Sequence, residues 1–525
     1  MSAKSSIEIF DSTLRDGSQG EGISFSVQDK LKIAGILDSF GVTYIEAGNP
    51  GSNPKELRFF EELKKVRLNN AKVCAFGSTA RAGKPVGEDS NIAALLSADT
   101  PAVAIFGKTW DLHVTKILRI SLEDNLKIIK DTVAYLKDKG KEVIFDAEHF
   151  FDGYKRNSDY AMQALGAACE GGADVLALCD TNGGCLPDEI KEITAAVVSA
   201  FPDVRVGIHC HNDTGCAVAN SMAAVKSGAV QVQGTFIGFG ERCGNADLST
   251  IIANLALKCG YDLGIDLTQL KVTARKIAEI SNIRLKSNHP YVGKSAFAHK
   301  GGMHIDGVQK CSESFEHIPP ESVGNERKFL LSEVAGRGTV LPKIQRFAPE
   351  LDKKSPETAT ITDELKKRED FGYHYEAAEA SFDLFIKKNL GLWHPHFNVI
   401  MYKVLDDFPA PDGEQQSNAM IKIEVDGKIT MACATGNGPV NALDKAMREA
   451  LTSFYPVISD MHLLDYKVRV IETGSNTDSK IRVMIDSADS DSVFTTIGVS
   501  SDIIKASFTA LMDSFEYKLS KKENE

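Results

Sequence analysis

The sequence lacks the features that mark membrane, secreted and nucleic-acid-binding proteins. No uninterrupted apolar run in its 525 residues reaches the roughly 18 residues that a membrane-spanning helix needs. The opening segment, MSAKSSIEIFDSTL, has no apolar core and carries Glu8 and Asp11, so we expect no secretory signal. Only 60 side chains are basic against 72 acidic ones, which argues against a general nucleic-acid or membrane surface.

Paired cysteines are also missing. None of the ten cysteines belongs to a CxxC pair, and scattered cysteines in a long chain are typical of reduced thiols in a cytosolic protein. We therefore expect a cytoplasmic location. The hydrophobic fraction of 43% and the charged fraction of 25% are ordinary for a globular protein, which excludes general disorder and a fibrous repeat.

Residues 1–265 repeat one pattern, in which an apolar run is followed by a turn and then by a helical segment. Near-continuous apolar strands joined by helices indicate a parallel sheet covered by helices. Eight such units predict an α/β fold, a (β/α)8 TIM barrel with a catalytic role. A doubly wound open sheet is the alternative, but no GxGxxG motif follows the first run. The runs begin at Ile7, Tyr44, Lys72, Ala102, Glu142, Val175, Val206 and Gln231.

The pattern changes twice after the barrel. Residues 266–390 are mostly helical and more charged, which predicts helical linker subdomains. Residues 391–525 contain an internal repeat, in which two strands, a Gly-rich loop and a helix occur in the same order twice. A DG turn between alternating runs predicts a hairpin in the first copy. We interpret this region as an α+β regulatory domain, because no cluster of acid and base side chains stands out in it.

Polar side chains collect where the predicted barrel strands end, which is where barrel enzymes place their functional groups. His209 and His211 are two apart on the seventh strand, so both imidazoles point the same way. Asp16, after the first strand, can add a carboxylate, and Asn245 can add an amide oxygen. Two histidines and one carboxylate suit a divalent ion such as Zn, Mn, Fe or Co. A lone HxH is more often structural, so the prediction depends on this position at the strand ends.

Several longer motifs point to a known family. STLRDG, HCHND and GFGERCGNA resemble the DRE-TIM metallolyase superfamily, which includes isopropylmalate, homocitrate and citramalate synthases and hydroxymethylglutaryl-CoA lyase. HKGGMHIDG and GNGPVNAL resemble the synthases that carry a regulatory domain. YIEAGNPGSNPK and DAEHFFDGYK are most similar to the longer citramalate synthases. The resemblance covers residues 5–518, but it is less specific for the keto acid, so isopropylmalate or homocitrate synthesis stays an alternative.

The resemblance implies a metal-dependent Claisen condensation of acetyl-CoA with pyruvate in isoleucine synthesis. A divalent ion (Mn, Mg, Zn or Co) would be held by Asp16, His209, His211 and Asn245, and pyruvate would bind it through the keto oxygen and the carboxylate. Arg15 would be the guanidinium that stabilises the charge growing on the keto oxygen.

Further roles follow from the same resemblance. Thr181 would donate its hydroxyl to the substrate carboxylate. Glu148 is the first choice for the base that takes the methyl proton of acetyl-CoA. His304 and Asp306 are the second choice, and their HxD spacing lets the carboxylate orient the imidazole if that segment is extended. In the family this segment crosses a partner subunit's barrel mouth, which implies a homodimer.

The C-terminal repeat resembles an allosteric domain that senses a pathway's end product, so inhibition by isoleucine is expected. Two other classes of function stay open. A lyase cleaving a hydroxyacyl-CoA would use the same metal site, although the regulatory module argues against it. An amino-acid sensor on an inactive barrel would not need the intact set of Asp16, His209 and His211.

Overall fold

The computed structural model describes residues 7–330, 337–406, 416–471 and 479–521. The chain divides into two compact units. The barrel unit comprises Met1–Ala298 and Gly307–Lys328, and the C-terminal unit comprises His299–Asp306 and Phe329–Glu525. Each unit is described by itself.

The predicted barrel is confirmed. Eight parallel strands follow one another around a closed ring, and β1 pairs with both β2 and β8, which removes the sheet edges. All eight apolar runs of the sequence become barrel strands. Their bounds are β1 (Glu8–Asp11), β2 (Tyr44–Gly48), β3 (Lys72–Ser78), β4 (Ala102–Lys108), β5 (Glu142–Glu148), β6 (Val175–Asp180), β7 (Arg205–Cys210) and β8 (Gln231–Gly234).

Helices follow the strands and cover the barrel with aliphatic side chains. Local signals set their ends. Ser26 caps α1 by accepting a hydrogen bond from Asp29 N while the Asp29 carboxylate accepts from Ser26 N, and Gly41 ends this helix with φ 98°. The helices of this unit up to residue 280 are α1 (Val27–Phe40), α2 (Pro54–Leu63), α3 (Ser90–Ser97), α4 (Leu122–Asp138), α5 (Phe150–Arg156), α6 (Ser158–Gly171), α7 (Pro187–Ala200), α8 (Ala217–Lys226), α9 (Leu248–Ala253) and α10 (Leu270–Ile280).

The barrel interior is layered because alternate residues of a strand face the same side. On β5, Glu142, Ile144, Asp146 and Glu148 therefore face inward at successive heights. Glu142 belongs to an ionic layer at the N-terminal end of the strands, and Ile144 packs in a small buried apolar cluster above it. Asp146 and Glu148 lie toward the C-terminal end, so the mouth of the barrel at that end is polar.

The C-terminal unit and the segment that joins the two units contain further short strands and helices. β9 and β10 form a two-stranded sheet, and two three-stranded sheets follow. The bounds are β9 (Ala298–His299), α11 (Gly302–Lys310), β10 (Lys328–Phe329), α12 (Arg337–Ile344), α13 (Pro356–Phe371), α14 (Glu379–Asn389), β11 (Asn398–Asp406), β12 (Ser417–Val425), β13 (Lys428–Gly436), α15 (Pro439–Thr452), β14 (His462–Val470), β15 (Ile481–Ala488), β16 (Val493–Ser500) and α16 (Ile503–Lys521).

The internal repeat is confirmed, but each copy has one more strand than the sequence motif shows. β11 precedes the first hairpin and β14 precedes the second, each antiparallel to its neighbour. The predicted DG turn joins β12 and β13, with φ 49° at Asp426 and 76° at Gly427, as a two-residue hairpin turn requires. Gly436 and Gly498 occupy equivalent places, since a Cβ there would lie 2.5 Å from Ala442 N and 2.0 Å from Ala506 O.

The ten cysteines form no disulfide among the described residues. No helix in the described ranges combines the length and the apolar character needed to cross a bilayer.

The ionic layer at the N-terminal end of the barrel strands makes the free energy of unfolding depend on pH. Tyr44 Oη, Lys72 Nζ and Arg205 Nη2 lie 2.7, 2.8 and 2.7 Å from the Glu142 carboxylate. Burial opposes ionisation, but these hydrogen bonds lower the Glu142 pKa from 4.5 to about 2. The ionised group therefore stabilises the fold above pH 4.5, and this contribution is lost as the pH falls toward 2.

We predict that Glu142→Gln lowers the free energy of unfolding by about 1–2 kcal/mol at pH 7, a figure reduced for solvent screening. The difference from the parent protein should narrow between pH 4.5 and 2. Urea unfolding followed by circular dichroism measures both values. A difference that stays constant over this pH range would contradict the assignment.

Candidate active site

Three of the predicted metal ligands meet at the C-terminal mouth of the barrel. Asp16 lies in the turn after β1, His209 lies on β7, and His211 lies just beyond its end. Nε2 of His209 and Nε2 of His211 are 3.4 and 3.6 Å from Oδ2 of Asp16. One donor atom from each residue lies within 4.8 Å of the other two, and all three side chains are buried. The structure therefore brings these three residues together, and their binding of a metal stays a prediction.

The backbone around His211 explains why both imidazoles face the cluster. β7 ends at Cys210, but His211 continues in extended form and pairs with Asn245. His211 N donates to Asp180 O at 3.2 Å, and Ala246 N donates to Cys210 O at 2.9 Å. The alternation of the strand therefore continues one residue further, which keeps the two imidazoles on one side.

Asn245, the backbone partner of His211, carries a side-chain oxygen that could act as a further ligand. Its Oδ1 atom is buried and accepts no hydrogen bond from any residue that the structure describes. Such an oxygen costs roughly 1–3 kcal/mol unless it is satisfied. A cation in contact with it would remove this cost, so the orphaned oxygen fits a metal ligand. Gly240 leaves the necessary space, because a Cβ there would lie 2.2 Å from Asn245 Nδ2.

The charges of the cluster also fit a divalent ion. Burial opposes ionisation of Asp16, but Arg15 and His209 hold the pKa of this carboxyl well below its ordinary range. Burial and the neighbouring His209 lower the pKa of His211 to about 4, so its imidazole is neutral at pH 7. Burial also disfavours protonation of His209, but Asp16 outweighs it and raises the pKa. A ligand imidazole must be neutral, so a divalent ion between Asp16 and His209 would compete with protonation of His209.

Arg15 is fixed beside the cluster by three contacts. Its Nη1 lies 3.3 Å from Asp16 Oδ2, its Nε donates to Glu46 Oε2 at 2.8 Å, and its guanidinium lies 3.8 Å from the centre of the Phe76 ring. Ser12 donates to the same Glu46 oxygen. Because a guanidinium has five N–H donors, Arg15 keeps donors for a substrate while it stays oriented. Glu46 lies on β2, and its function of holding Arg15 appears only in the structure.

Glu148, the predicted base, forms an ion pair with Lys108. Lys108 is the last residue of β4 and lies opposite Glu148 in the strand register. Both side chains are about one-fifth exposed, at 19% and 23%, so a substrate in the mouth can reach them. Sequence reasoning missed Lys108. Its signal would have been a lysine at the end of an otherwise apolar barrel strand.

Thr181, which follows β6, uses its hydroxyl oxygen to accept a hydrogen bond from His149 N at 2.9 Å. Its backbone oxygen accepts from Arg242 Nη2 at 2.7 Å. The hydroxyl proton is left to donate to another acceptor, as the predicted contact with a substrate carboxylate requires. The main chain around Thr181 is thereby tied to its neighbours from both sides.

The second choice for the base is His304, with Asp306 as the group that would orient it. His304 and Asp306 lie on α11, so their segment is helical and the condition of an extended HxD pair is wrong. Residues two apart on a helix do not share a face. His304 is exposed, and the side chain of Asp306 lies outside the described part of the structure. Residues 299–306 belong to the C-terminal unit.

A closed parallel barrel with an Asp–His–His cluster at the C-terminal ends of its strands is typical of metal-dependent TIM-barrel enzymes. Comparison with known families agrees. Residues 6–277 match the HMGL-like model, residues 291–372 match the homocitrate synthase post-HMGL domain-like model, and residues 376–519 match the LeuA allosteric (dimerisation) domain. The HMGL-like family is metal-dependent.

Whole-chain relatives narrow the assignment. The (R)-citramalate synthases of Aquifex aeolicus and Geobacter sulfurreducens are 51% and 50% identical to this chain, over 99% and 98% of its length and the same shares of their own. A probable 2-isopropylmalate synthase of Methanopyrus kandleri is more distant, at 34% identity over 96% of this chain and 97% of its own. The chain belongs to the HMGL-like family and, within it, to the group of the (R)-citramalate synthases.

A solved structure was also found, the hydroxymethylglutaryl-CoA lyase of Pseudomonas aeruginosa. It is 20% identical and covers 56% of this chain and 98% of its own, with a TM-score of 0.48.

The cluster predicts the effect of removing one ligand. We expect His211→Ala to lose most of its bound divalent metal and at least about 100-fold in activity, because even outer-shell changes cost 10- to 100-fold. Cys210→Ala is the matched control, since this buried neighbour points away from the cluster and should leave the metal content unchanged. Metal analysis and activity assays of the two purified variants check these outcomes. Full metal content together with full activity in His211→Ala would show that the site is elsewhere.

Proposed function

We propose that this protein condenses acetyl-CoA with pyruvate to give (R)-citramalate and free CoA, in the synthesis of isoleucine. In this reaction the transferred acyl group becomes an alkyl group. The observation that carries the proposal is the buried set of Asp16, His209 and His211 with Arg15 beside it, in a chain 51% identical to a named (R)-citramalate synthase.

The ligands of the divalent ion, Mn, Mg, Zn or Co, are Asp16, His209, His211 and Asn245. When bound, the ion supplies Lewis-acid polarisation of the keto oxygen. Arg15 lies beside Asp16 with its donors held in place. It stabilises the negative charge that grows on the keto oxygen as its carbon is attacked, which lowers the barrier more than it strengthens substrate binding.

Other residues bind the pyruvate carboxylate and remove the methyl proton of acetyl-CoA. Thr181 donates its hydroxyl proton to the pyruvate carboxylate, in an orientation set by the hydrogen bond from His149 N. Glu148 takes the methyl proton of acetyl-CoA, which is too weak an acid to lose it without a positioned base. His304 and Asp306 on α11 are the alternative base. Hydrolysis of the thioester then releases CoA.

The C-terminal repeat is proposed to bind the effector. The match to the LeuA allosteric (dimerisation) domain supports a homodimer and regulatory binding. A cavity of about 550 Å³ lies between α15 and the start of β14 in this domain. It combines the apolar side chains of Val440 and Leu463 with Asn441 and the ion pair of Arg448 and Asp444. This mixture suits a branched amino acid with its carboxylate, so we propose isoleucine as the inhibitor.

The organisation of the chain completes the proposal. We assign catalysis to residues 1–265, the linker subdomains to 266–390 and regulation to 391–525. The ten cysteines, none of them in a disulfide within the described ranges, support a cytoplasmic location. The substrates are small molecules, and neither nucleic acid nor a membrane is proposed as a partner.

Substrate choice is the direct test. We predict that the purified enzyme with Mn²⁺ releases CoA from acetyl-CoA with pyruvate at a kcat/KM at least about 100-fold above that with 2-oxoisovalerate or 2-oxoglutarate. A pocket shaped for a methyl group loses roughly 1–3 kcal/mol with each extra methylene. Free thiol is followed by a colour reagent, and citramalate is identified by chromatography. A preference for 2-oxoisovalerate would favour isopropylmalate synthesis instead.

Feedback regulation gives a second prediction. Isoleucine should lower the rate of citramalate formation, and leucine at the same concentration should lower it less. Val440→Trp, which places a bulky side chain in the cavity, should raise the half-inhibitory isoleucine concentration at least tenfold, because 1.4 kcal/mol of lost binding is a factor of ten. The ratio of inhibited to uninhibited rates measures this. Unchanged inhibition of Val440→Trp would place the effector elsewhere.

A further inference from the structure

We propose that Lys108 is a catalytic residue, the cation that stabilises the enolate oxygen of acetyl-CoA. The inference rests on the proposed condensation, but it assigns a group that the family comparison and the sequence motifs leave without a function. Its starting point is the ion pair between Lys108 Nζ and Glu148 Oε2 at the barrel mouth.

The strand register places the two side chains side by side. β4 and β5 are parallel neighbours, and Lys108 is the Cα partner of Glu148. Ala104 and Ile144 lie four residues before them and belong to the buried interior cluster. Since strand side chains alternate with a period of two, Lys108 and Glu148 face the interior as well. Both are the last residues of their strands, where the barrel opens.

Neighbouring contacts fix this arrangement. Asn125 is 2% exposed, and its Nδ2 donates to Lys108 O at 2.8 Å. Thr109 Oγ1 donates to Glu148 O at 2.8 Å, which ties the end of β5 to the residue after β4. The Lys108 ammonium also lies 5.3 Å from the centre of the Phe106 ring. The cation and the base are therefore held as one unit before a substrate arrives.

Proton transfer moves charge in a way that this pair can use. The methyl C–H bond of acetyl-CoA breaks and an O–H bond forms on Glu148, which becomes neutral. The C–H electron pair becomes the C=C bond of the enolate, and the carbonyl π pair moves to the thioester oxygen. The negative charge that Lys108 faced on the carboxylate has then passed to that oxygen. Lys108 loses one anionic partner at the moment another forms.

The distances on the substrate make this exchange feasible. One carbon atom separates the methyl group from the carbonyl oxygen, so a cation touching the base lies within reach of that oxygen. A charge held in advance where negative charge develops stabilises the transition state more than the ground state. Lys108 needs only the small movement that its flexible side chain allows.

The two cations of the mouth serve different reactants in this scheme. Arg15 contacts Asp16 and Glu46, on the side of the metal cluster. Lys108 contacts Glu148, on the side of the proposed base. The keto oxygen and the thioester oxygen both become anionic during the reaction, so each has its own counter-ion. If the ion pair of Lys108 and Glu148 served only to stabilise the fold, the thioester oxygen would have no cation beside it.

The test uses the full-length enzyme with Mn²⁺ and compares Lys108→Met, which keeps the chain length without the charge, with Lys108→Arg. We expect Lys108→Met to lower kcat by about 100- to 1,000-fold, the range for removing one oxyanion donor, with the KM for pyruvate and the metal content unchanged. The isotope effect on kcat with trideuterated acetyl-CoA should increase, because proton removal becomes slower. Lys108→Arg should recover part of the rate.

Binding of an enolate mimic separates catalysis from mere orientation of Glu148. A CoA analogue in which a CH2–COO− group replaces the S–CO–CH3 group of acetyl-CoA places one carboxylate oxygen at the enolate oxygen and the other at the methyl carbon, and the corresponding primary amide is a neutral control. The parent enzyme should bind the anionic compound at least tenfold tighter, and Lys108→Met should lose that preference. Equal binding of both compounds by the parent enzyme would overturn the proposal, and this arm needs no variant to fold. A Lys108→Met kcat within threefold of the parent value would also overturn it.

Failure of the inference can be told from failure of the proposed function. If the parent enzyme turns over pyruvate and Lys108→Met does so equally well, only the assignment of Lys108 is wrong. If the parent enzyme forms no citramalate at all, the proposed function itself is wrong.

Discussion

The structure depends on one buried carboxylate, Asp16, placed between two imidazoles and a guanidinium. A buried negative charge is unfavourable unless cations or hydrogen bonds compensate it. Arg15 and His209 provide this compensation and keep Asp16 ionised. The barrel makes the arrangement possible, because closure brings β1 and β7 to either side of β8 and so brings Asp16 to His209 and His211. The polar mouth is built outward from this carboxylate.

Much of the barrel could be predicted because its signals are local. Each strand is a short apolar run, and the HxH alternation places both imidazoles on one side without knowledge of the fold. Asp16 could be predicted as a ligand beside the two histidines because a closed barrel makes the first and last strands neighbours. The hairpin at Asp426 and Gly427 has a similarly local origin, in two residues that tolerate positive φ.

Other features could not be predicted because they depend on contacts between distant segments. The pairing of Lys108 with Glu148 is fixed by the register of β4 and β5, which no sequence pattern states. β11 and β14 were missed because both are edge strands with little burial, so their alternation of apolar and polar residues is weak. The segment around His304 is helical where the pairing with Asp306 required an extended chain, and a short Gly-rich sequence does not distinguish the two.

The central claim is that one divalent ion is held by Asp16, His209 and His211 and presents a short keto acid to the barrel mouth. A crystal of the protein grown with Mn²⁺ and pyruvate, measured at the manganese absorption edge, tests it most directly. The account predicts one anomalous peak in the mouth, within roughly 2.0–2.3 Å of a carboxylate oxygen and two imidazole nitrogens, with pyruvate beside Arg15. A peak elsewhere, or a mouth that binds pyruvate without any metal, would contradict it.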